Sequence, residues 1–334
     1  MPRVWRRQYL LRKSGGDGRT TVFNLSKHLK KHNKILLIWP ENQEETLIAY
    51  SAVKNLREAE SPDISWAHWV EGESAELIAG LFPEEPMVKW HRKESAWHDA
   101  DLQASVASLR DFAPETVVNL MRPCPPVLQA VMNATGAEMR ICIDERCLWP
   151  YANVRLQQSS KETLAGRFFQ ILSPWRYSGF TPQEHWERIH SGAGQQASAS
   201  EKWRGASAVP ETTWIYLHDV ENPNRPLDDA LHALLIQRLK NRDGGEYALG
   251  VAAWNPSRAP WERTGAWSGA TFLEACNLSE LLGILESSRG VAAGHGFGLQ
   301  FAGLTEARVM ALLRKEEAEY DVSAWNPLFQ VEWV

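Results

Sequence analysis

Short apolar runs alternate with amphipathic segments along most of the chain. The run KILLIWP (34–40) ends at a proline and predicts a buried strand. Next comes EETLIAYSAVKNLREA (44–59), whose apolar positions recur at helical spacing, with acids at the start and basic residues near the end. The same pattern predicts strands at 63–70, 115–121 and 138–144 and helices at 74–82, 101–112 and 125–136. Strands that alternate with helices indicate an α/β domain with a mainly parallel sheet.

The pattern restarts in the second half of the chain. It predicts strands at 212–219 and 246–254 and helices at 226–245 and 277–290. The intervening stretch SGAGQQASASEKWRGASA is polar and rich in small residues, which predicts an exposed loop or linker. We therefore divide the chain into a basic arm (1–33), a first α/β domain (34–180), the flexible loop or linker (191–208), a second α/β domain (209–315) and a C-terminal tail that packs back (316–334).

Composition narrows the class of protein. The chain has 334 residues, 44% hydrophobic and 23% charged, which is enough for two globular domains. No apolar run is long enough to span a membrane, and the N-terminus lacks the apolar region of a signal peptide. The four cysteines form no CxxC or zinc spacing, so we expect reduced thiols in a cytoplasmic protein. The sixteen tryptophans predict aromatic side chains at an interface or in a cleft.

Charge is unevenly distributed. Residues 1–34 contain ten lysines and arginines against one acid, Asp17, while the whole chain carries a net charge of −5. The arm 1–33 is therefore suited to a protein partner or an anionic membrane surface, and peripheral association at the inner membrane is one alternative. A solvated arm that packs its few apolar residues on its own domain is the other. Nucleic acid is not expected, because the acidic body repels phosphates.

Three stretches carry a resemblance to a known family. They are ILLIWPENQEETLIAYSAVKNLRE (35–58), VVNLMRPCPPVLQAVMNATGAEMRICID (117–144) and NLSELLGILESSRGVAAGHGFGLQFAGLTEARVMALL (277–313). In order and pattern they resemble the heptosyltransferases, bacterial glycosyltransferases that transfer heptose from ADP-heptose to the lipopolysaccharide core. The resemblance implies a GT-B architecture, in which two Rossmann-like domains with mainly parallel sheets face each other across a cleft. Ligands then lie beyond the carboxyl ends of the strands.

The resemblance also implies where a catalytic base would lie. The family's base is an aspartate that follows a glycine in the first loop, and these two positions align with Glu45 and Glu44. Glu45 keeps a carboxylate that could accept the acceptor's proton. Two acids at a helix start also have an ordinary explanation, because they interact favourably with the helix dipole.

The resemblance places the donor's diphosphate in the second half. The family uses a basic residue after the first strand there, and Arg225 is the cation of that loop, although a surface arginine is an equal alternative. The family's later loop carries Asp-Ser/Thr-Gly and a histidine three residues on. Here Gly298 matches the glycine, and Gly296, Phe297 and Phe301 replace the other three residues.

The glycines of this loop allow two interpretations. Backbone amides at Gly294, Gly296 and Gly298 could bind a phosphate at the start of the next helix. Alternatively, the glycines allow only a tight turn and close packing. His295 is displaced from the family's histidine. Together with Glu44 and with Arg122 at the end of the strand at 115–121, it is expected to line the cleft. No metal spacing occurs among the histidines, and no cofactor is expected beyond a nucleoside diphosphate or nucleotide-sugar as ligand.

Three functional hypotheses follow. The substituted positions in both halves favour a degenerate, non-catalytic heptosyltransferase-like protein that serves as a structural or adaptor subunit in a bacterial assembly. The alternative is an active glycosyltransferase that moves a sugar from an ADP-heptose-like donor to a cell-envelope glycan. A sensor that binds a nucleotide or sugar without turnover is the third.

Overall fold

A computed structural model gives the structure of most of the chain. It describes residues 25–60, 62–72, 74–90, 100–143, 151–156, 163–175, 181, 184–185, 187–191, 193–217, 229–243, 247–254, 270–275, 277–314 and 329–333. Most of the basic arm and the candidate residue Arg225 lie outside these described residues. No helix within the described ranges is both long enough and apolar enough to cross a membrane.

The first sheet contains six parallel strands. They are β1 (Lys34–Ile38), β2 (Ser65–Glu71), β3 (Met87–Trp90), β4 (Thr116–Asn119), β5 (Met139–Cys142) and β6 (Val154–Arg155). Their spatial order is β3-β2-β1-β4-β5-β6. The order reverses between β1 and β4, which is the topological switch point where α/β sheets bind ligands.

The second sheet repeats this arrangement. Its strands are β7 (Thr213–Leu217), β8 (Ala248–Trp254), β9 (Thr271–Ala275), β10 (Gly290–Gly294), β11 (Val309–Leu313) and β12 (Phe329–Trp333). The order β12-β11-β10-β7-β8-β9 is again parallel, with its switch point between β7 and β10. The predicted architecture of two Rossmann-like domains is therefore confirmed. The end of the predicted tail forms β12, so the second domain extends beyond residue 315.

Helices connect the strands and cover the sheets. Those of the first domain are α1 (Leu25–Leu29), α2 (Gln43–Ala59), α3 (Ser74–Leu81), α4 (Ala100–Phe112), α5 (Pro126–Ala134) and α6 (Leu164–Phe169). The others are α7 (Ala193–Gly205), α8 (Asp229–Asp243), α9 (Leu278–Ser287) and α10 (Phe297–Gly303). Short 3₁₀ helices cover Gln170–Trp175 and Pro210–Thr212.

Helix α2 begins after the first strand because of a local cap. The side chain of Asn42 accepts hydrogen bonds from the backbone N–H groups of Glu44 and Glu45, and both acids lie in the first turn. The apolar positions predicted from the sequence, among them Leu47 and Leu56, are fully buried. This helix carries both predicted acids to the switch point of the first sheet.

Two further predicted boundaries are wrong. The segment 191–208 was expected to be a flexible loop or linker, but most of it forms α7, which packs against α9. Trp203 is buried there and its Nε1 donates a 2.8 Å hydrogen bond to Ser287 Oγ. The segment forms a helix because alanine, glutamine and glutamate have high helix propensity. The pattern did not predict it, because a helix face made of alanine and serine shows no apolar periodicity.

The second wrong boundary is the end of the basic arm. Residues 25–33 belong to the first domain, because Leu29 of α1 is buried and Ser26 Oγ donates a 3.1 Å hydrogen bond to the carbonyl of Trp175. Burial removes the leucine side chains of this short helix from water, which stabilises the packed helix relative to a solvated arm. Residues 1–24 of the predicted arm are outside the described residues.

The two domains share one apolar core. A single cluster of buried residues includes Leu47 and Ile48 of α2 together with Phe297 and Phe301 of α10. Helix α10 of the second domain packs directly on α2 of the first, and α9 packs on α3. At the second contact the approach is so close that a Cβ on Gly80 would lie 3.1 Å from Leu278 Cδ2. The surfaces expected to face a cleft are therefore partly in direct contact.

Candidate active site

A pocket lies at the switch point of the first sheet. The loops after β1 and β4 enclose about 300 Å³, lined by Glu41, Asn42, Glu45, Met121, Arg122 and Pro123. Parallel strands bring their carboxyl ends to the same edge of a sheet, so two loops far apart in sequence form one pocket. The sequence predicted Glu45 and Arg122 for this region, and the structure brings them together. Asn42 and Glu41 were not predicted, although their position directly after a buried strand is a signal for such a site.

Glu45 is the carboxylate of this pocket. Burial raises the pKa of Glu45, and the nearby positive charge of Arg122 offsets only part of that increase. A carboxylate with a raised pKa beside a cation is chemically suited to accept a proton from a bound hydroxyl group.

Arg122 supplies positive charge to the same pocket. Its side chain is half-buried, and within the described part of the chain its buried Nε has no hydrogen-bond partner. A guanidinium group with unused donors can bind a carboxylate or phosphate of a ligand. Cys124, two residues further on, is buried, forms no disulfide within the described ranges and does not line the pocket.

Glu44 and His295 lie outside this pocket and contact each other. His295 Nε2 is 3.8 Å from Glu44 Oε1, and the two side chains are only 15% and 12% exposed. Glu44 belongs to α2 and His295 to the turn after β10, so the pair joins the two domains. The sequence predicted both residues for the cleft, and the structure places them at the point where the domains meet.

The glycine loop follows β10, at the switch point of the second sheet. Gly294 and His295 are partly exposed, but the chain is buried from Gly296 to Thr305. Gly296 has a φ of +121°, which favours glycine, and it begins α10 without a side-chain cap. A Cβ on Gly298 would lie 3.0 Å from the carbonyl oxygen of Leu217, at the end of β7. These observations agree with the close-packing interpretation of the glycines.

The residues that replace the family's sugar-binding side chains are part of the core. Phe297 and Phe301 are at most 1% exposed, and their rings stack with centroids 5.7 Å apart. Gln300 lies between them in sequence and is fully buried; neither of its amide atoms has a hydrogen-bond partner among the described residues. Gln300 was not predicted from the sequence, although a single polar residue within the apolar run FGLQFAGL was a usable signal.

A larger groove lies elsewhere in the first domain. It encloses about 770 Å³ beside the amino end of β2, and its lining includes Tyr50, Lys54, Arg57, Trp66 and Phe82. Arg57 lies over the ring of Phe82, 4.6 Å from the centroid. Because this groove is not at the carboxyl ends of the strands, it is separate from the pocket around Glu45.

A buried polar network borders this groove. Trp39 Nε1 donates a 2.9 Å hydrogen bond to His68 Nδ1, so the other ring nitrogen carries a proton and donates to Glu85 Oε2 at 2.7 Å. Arg57 also donates to Glu85. Burial acts to raise the pKa of Glu85, but the hydrogen bond from His68 and the charge of Arg57 outweigh it, so the pKa lies below its ordinary value.

Comparison with known proteins identifies the class to which this architecture belongs. No protein-family model matches the sequence, and no curated protein matches it significantly. Solved structures do match. The glycosyl transferase family 9 protein from Veillonella parvula aligns with a TM-score of 0.65 at 10% identity, covering 90% of this chain and 87% of that chain. The fold is that of the GT-B glycosyltransferases.

Within that class the fold is heptosyltransferase-like. The E. coli ADP-heptose LPS heptosyltransferase II aligns with a TM-score of 0.67 at 14% identity, covering 90% of each chain. The E. coli heptosyltransferase WaaC, solved with ADP, aligns with a TM-score of 0.62 at 14% identity, covering 90% of this chain and 93% of that chain. The resemblance predicted from the order of sequence elements is thereby confirmed for the fold.

Proposed function

We propose that this chain is a heptosyltransferase-like protein that has lost sugar transfer and acts as a structural or adaptor subunit of a bacterial assembly. The observation that carries the proposal is the burial of the segment from Gly296 to Thr305. In the resembled family the corresponding loop holds the sugar and the diphosphate. Backbone amides stabilise a leaving diphosphate only if the ligand can reach them.

Direct contact between the domains supports the same proposal. Helix α10 packs on α2, and the Glu44–His295 pair lies beside this contact. A nucleotide-sugar would have to separate these surfaces and displace an apolar core that includes Phe297 and Phe301. Displacing buried aromatic side chains costs several kcal/mol, since each one is worth about 1.5–3 kcal/mol when fully buried.

The adaptor half of the proposal rests on sequence. The strongly basic segment at residues 1–24 is suited to docking on an acidic protein partner or an anionic membrane surface. Seven of the sixteen tryptophans are buried in the described core and do not contribute to such a surface. We accordingly propose a cytoplasmic location, with peripheral association at the inner membrane as the alternative. Salt-sensitive capture of a partner by the full chain, and its loss when residues 1–24 are removed, would support this role.

An active glycosyltransferase is the second candidate. The pocket with Glu45, whose pKa is raised, and Arg122 favours it. In that case Glu45 would be the base, while Arg225 and the amides of Gly294, Gly296 and Gly298 would hold the diphosphate of an ADP-heptose-like donor. A sensor would use the same groups for binding without turnover.

Calorimetry with ADP, UDP and GDP on the full chain separates these functions. The structural proposal expects no binding at millimolar nucleotide. Micromolar binding that Arg225→Ala or Arg122→Ala abolishes would overturn it. Transfer from ADP-heptose, lost in Glu45→Gln, would then distinguish an enzyme from a sensor.

A further inference from the structure

Two histidines and a glutamate meet at the edge of the first sheet opposite the pocket. His28 lies in α1, His32 four residues further on, and Glu138 immediately precedes β5. His28 Nε2 is 2.7 Å from Glu138 Oε1, and His32 Nε2 is 3.6 Å from Glu138 Oε2. One donor atom from each of the three residues lies within 4.8 Å of the other two. The sequence predicted no metal site, because the histidines show no metal-ligand spacing among themselves. The third donor, Glu138, is distant along the chain and gives no local signal.

The position of His32 is fixed by a partner behind it. His32 Nδ1 is 2.7 Å from Thr116 Oγ1, and both side chains are buried. Thr116 begins β4, and its partner in β5 is Met139, the neighbour of Glu138. The register of the sheet therefore determines where the carboxylate stands relative to the imidazole. Such a hydrogen bond to the second ring nitrogen is the usual way in which a metal-binding histidine is oriented.

The backbone around the three residues is also anchored. The carboxylate of Glu115 accepts hydrogen bonds from the backbone N–H groups of Asn33, at 2.5 Å, and Lys34, at 3.2 Å. This contact fixes the turn between α1 and β1, which carries His32. The turn that carries His32 and the strand register that places Glu138 are therefore fixed before an ion binds. An ion would not have to order a flexible loop.

The chemistry of the donors selects the kind of ion. Imidazole nitrogen binds zinc-like transition ions, whereas calcium and magnesium prefer sites built from oxygen ligands. Glu138 is 63% exposed and His28 is 26% exposed, so an ion can enter from solvent.

We propose that His28, His32 and Glu138 bind one divalent transition-metal ion of the zinc class, with at least one coordination position open to water. Three protein ligands and an open position are typical of zinc sites that exchange a ligand. The site lies at the amino ends of β1, β4 and β5, whereas the pocket around Glu45 lies at the carboxyl ends. The ion would fasten α1, which directly follows residues 1–24 in the chain, to the sheet. This proposal does not depend on whether the cleft is catalytic.

Titration of the chelator-treated full chain tests the site. We expect one equivalent of Zn²⁺ to bind in calorimetry, Co²⁺ to give visible absorption of a low-coordinate site, and Mg²⁺ or Ca²⁺ to bind far more weakly. Zn²⁺ should also raise the melting temperature. Absence of stoichiometric Zn²⁺ binding would overturn the proposal.

Single substitutions test whether zinc binds to these three residues or binds adventitiously elsewhere on the protein. His28→Asn and Glu138→Gln change exposed side chains, and each should weaken Zn²⁺ binding by more than the roughly 10–100-fold that loss of an outer partner costs. Thr116→Val should weaken it by about 10–100-fold. The exposed pair His190 and Glu306, 3.8 Å apart, provides matched controls in His190→Asn and Glu306→Gln, which should leave the affinity unchanged. Equal binding by all variants would place the zinc elsewhere and refute the assignment.

Discussion

The imidazole of His295 and the carboxylate of Glu44 lie 3.8 Å apart and join the second domain to the first. Glu44 lies in the first turn of α2 and His295 in the turn after β10, and the sequence predicted both residues for an open cleft. Here they lie beside the packed surfaces of α2 and α10. Together with the packing of α10 on α2, this contact holds the two domains against each other.

Gly298 and Gly294 should respond differently to alanine. A Cβ at Gly298 would lie 3.0 Å from the carbonyl oxygen of Leu217, whereas the nearest atom to a Cβ at Gly294 is 3.9 Å away. We expect Gly298→Ala to lower the free energy of unfolding by about 1–3 kcal/mol, because overpacking a dense core is costly. Gly294→Ala should be close to neutral in the same urea titration. Equal effects would contradict the packing role of Gly298.

Phe297 should be essential to the stability of both domains. Its side chain is 1% exposed in the cluster that spans them, so Phe297→Ala should cost about 3–5 kcal/mol. Phe272 in β9 is 38% exposed and serves as the control, with an expected change within about 0.5 kcal/mol for Phe272→Ala. Chemical denaturation followed by fluorescence and by circular dichroism measures both. Separate unfolding of the two domains in the wild type would argue against a shared core.

Gln300 should be replaceable by an apolar residue. Its amide atoms are buried without hydrogen-bond partners in the described ranges, and such a group costs about 1–3 kcal/mol. We therefore expect Gln300→Met to raise the melting temperature. Gln129 is the matched control, since its amide donates a 3.1 Å hydrogen bond to the carbonyl of Cys124. Gln129→Met should therefore lower the melting temperature. A lower melting temperature of Gln300→Met would show that the amide of Gln300 makes stabilising hydrogen bonds.

Glu85 should make the protein sensitive to acid. Because the hydrogen bond from His68 and the charge of Arg57 hold its pKa below the ordinary value of 4.5, its ionised form stabilises the folded state. That stabilisation is present above pH 4.5 and disappears as the pH falls through the folded-state pKa. Glu85→Gln should therefore be destabilising at pH 7, by an amount that shrinks at pH 3. Glu58→Gln, at an exposed position, should show neither effect.

Glu45 should affect the pH dependence of stability in the opposite direction from Glu85. Burial raises its pKa, so the folded state binds a proton more tightly than the unfolded state does. Its contribution favours folding at low pH and is lost as the pH rises through the folded-state pKa. We expect Glu45→Gln to stabilise the protein at pH 7 and to have little effect at pH 4, as measured by urea denaturation. Destabilisation at pH 7 would mean that the attraction between Glu45 and Arg122 outweighs burial.

Much of the fold follows from local patterns in the sequence. The run at 34–40 predicted β1, and the acids followed by apolar residues at helical spacing predicted α2, because both signals reside in neighbouring residues. Helix α7 was missed since alanine and serine carry no such contrast. Strands β3 and β9 were not predicted either; β3 carries a lysine and β9 a glutamate within only a few residues.

The site was predictable only in part. Glu45 could be found through its alignment with the resembled family's base, and Arg122 because it follows a buried strand. The topology of a parallel sheet brings these two segments together. The contact between Glu44 and His295, the burial of the glycine loop and the approach of His28 to Glu138 depend on packing between distant segments. A single sequence carries no local signal for such contacts.

Burial of the amides from Gly296 onwards has a consequence for any nucleotide that does bind. Access would require a minority population in which α10 has left α2, and the observed dissociation constant would equal the intrinsic one divided by the fraction of molecules in that population. Substitutions that loosen the contact between α2 and α10 would then tighten nucleotide binding, even though they touch no ligand.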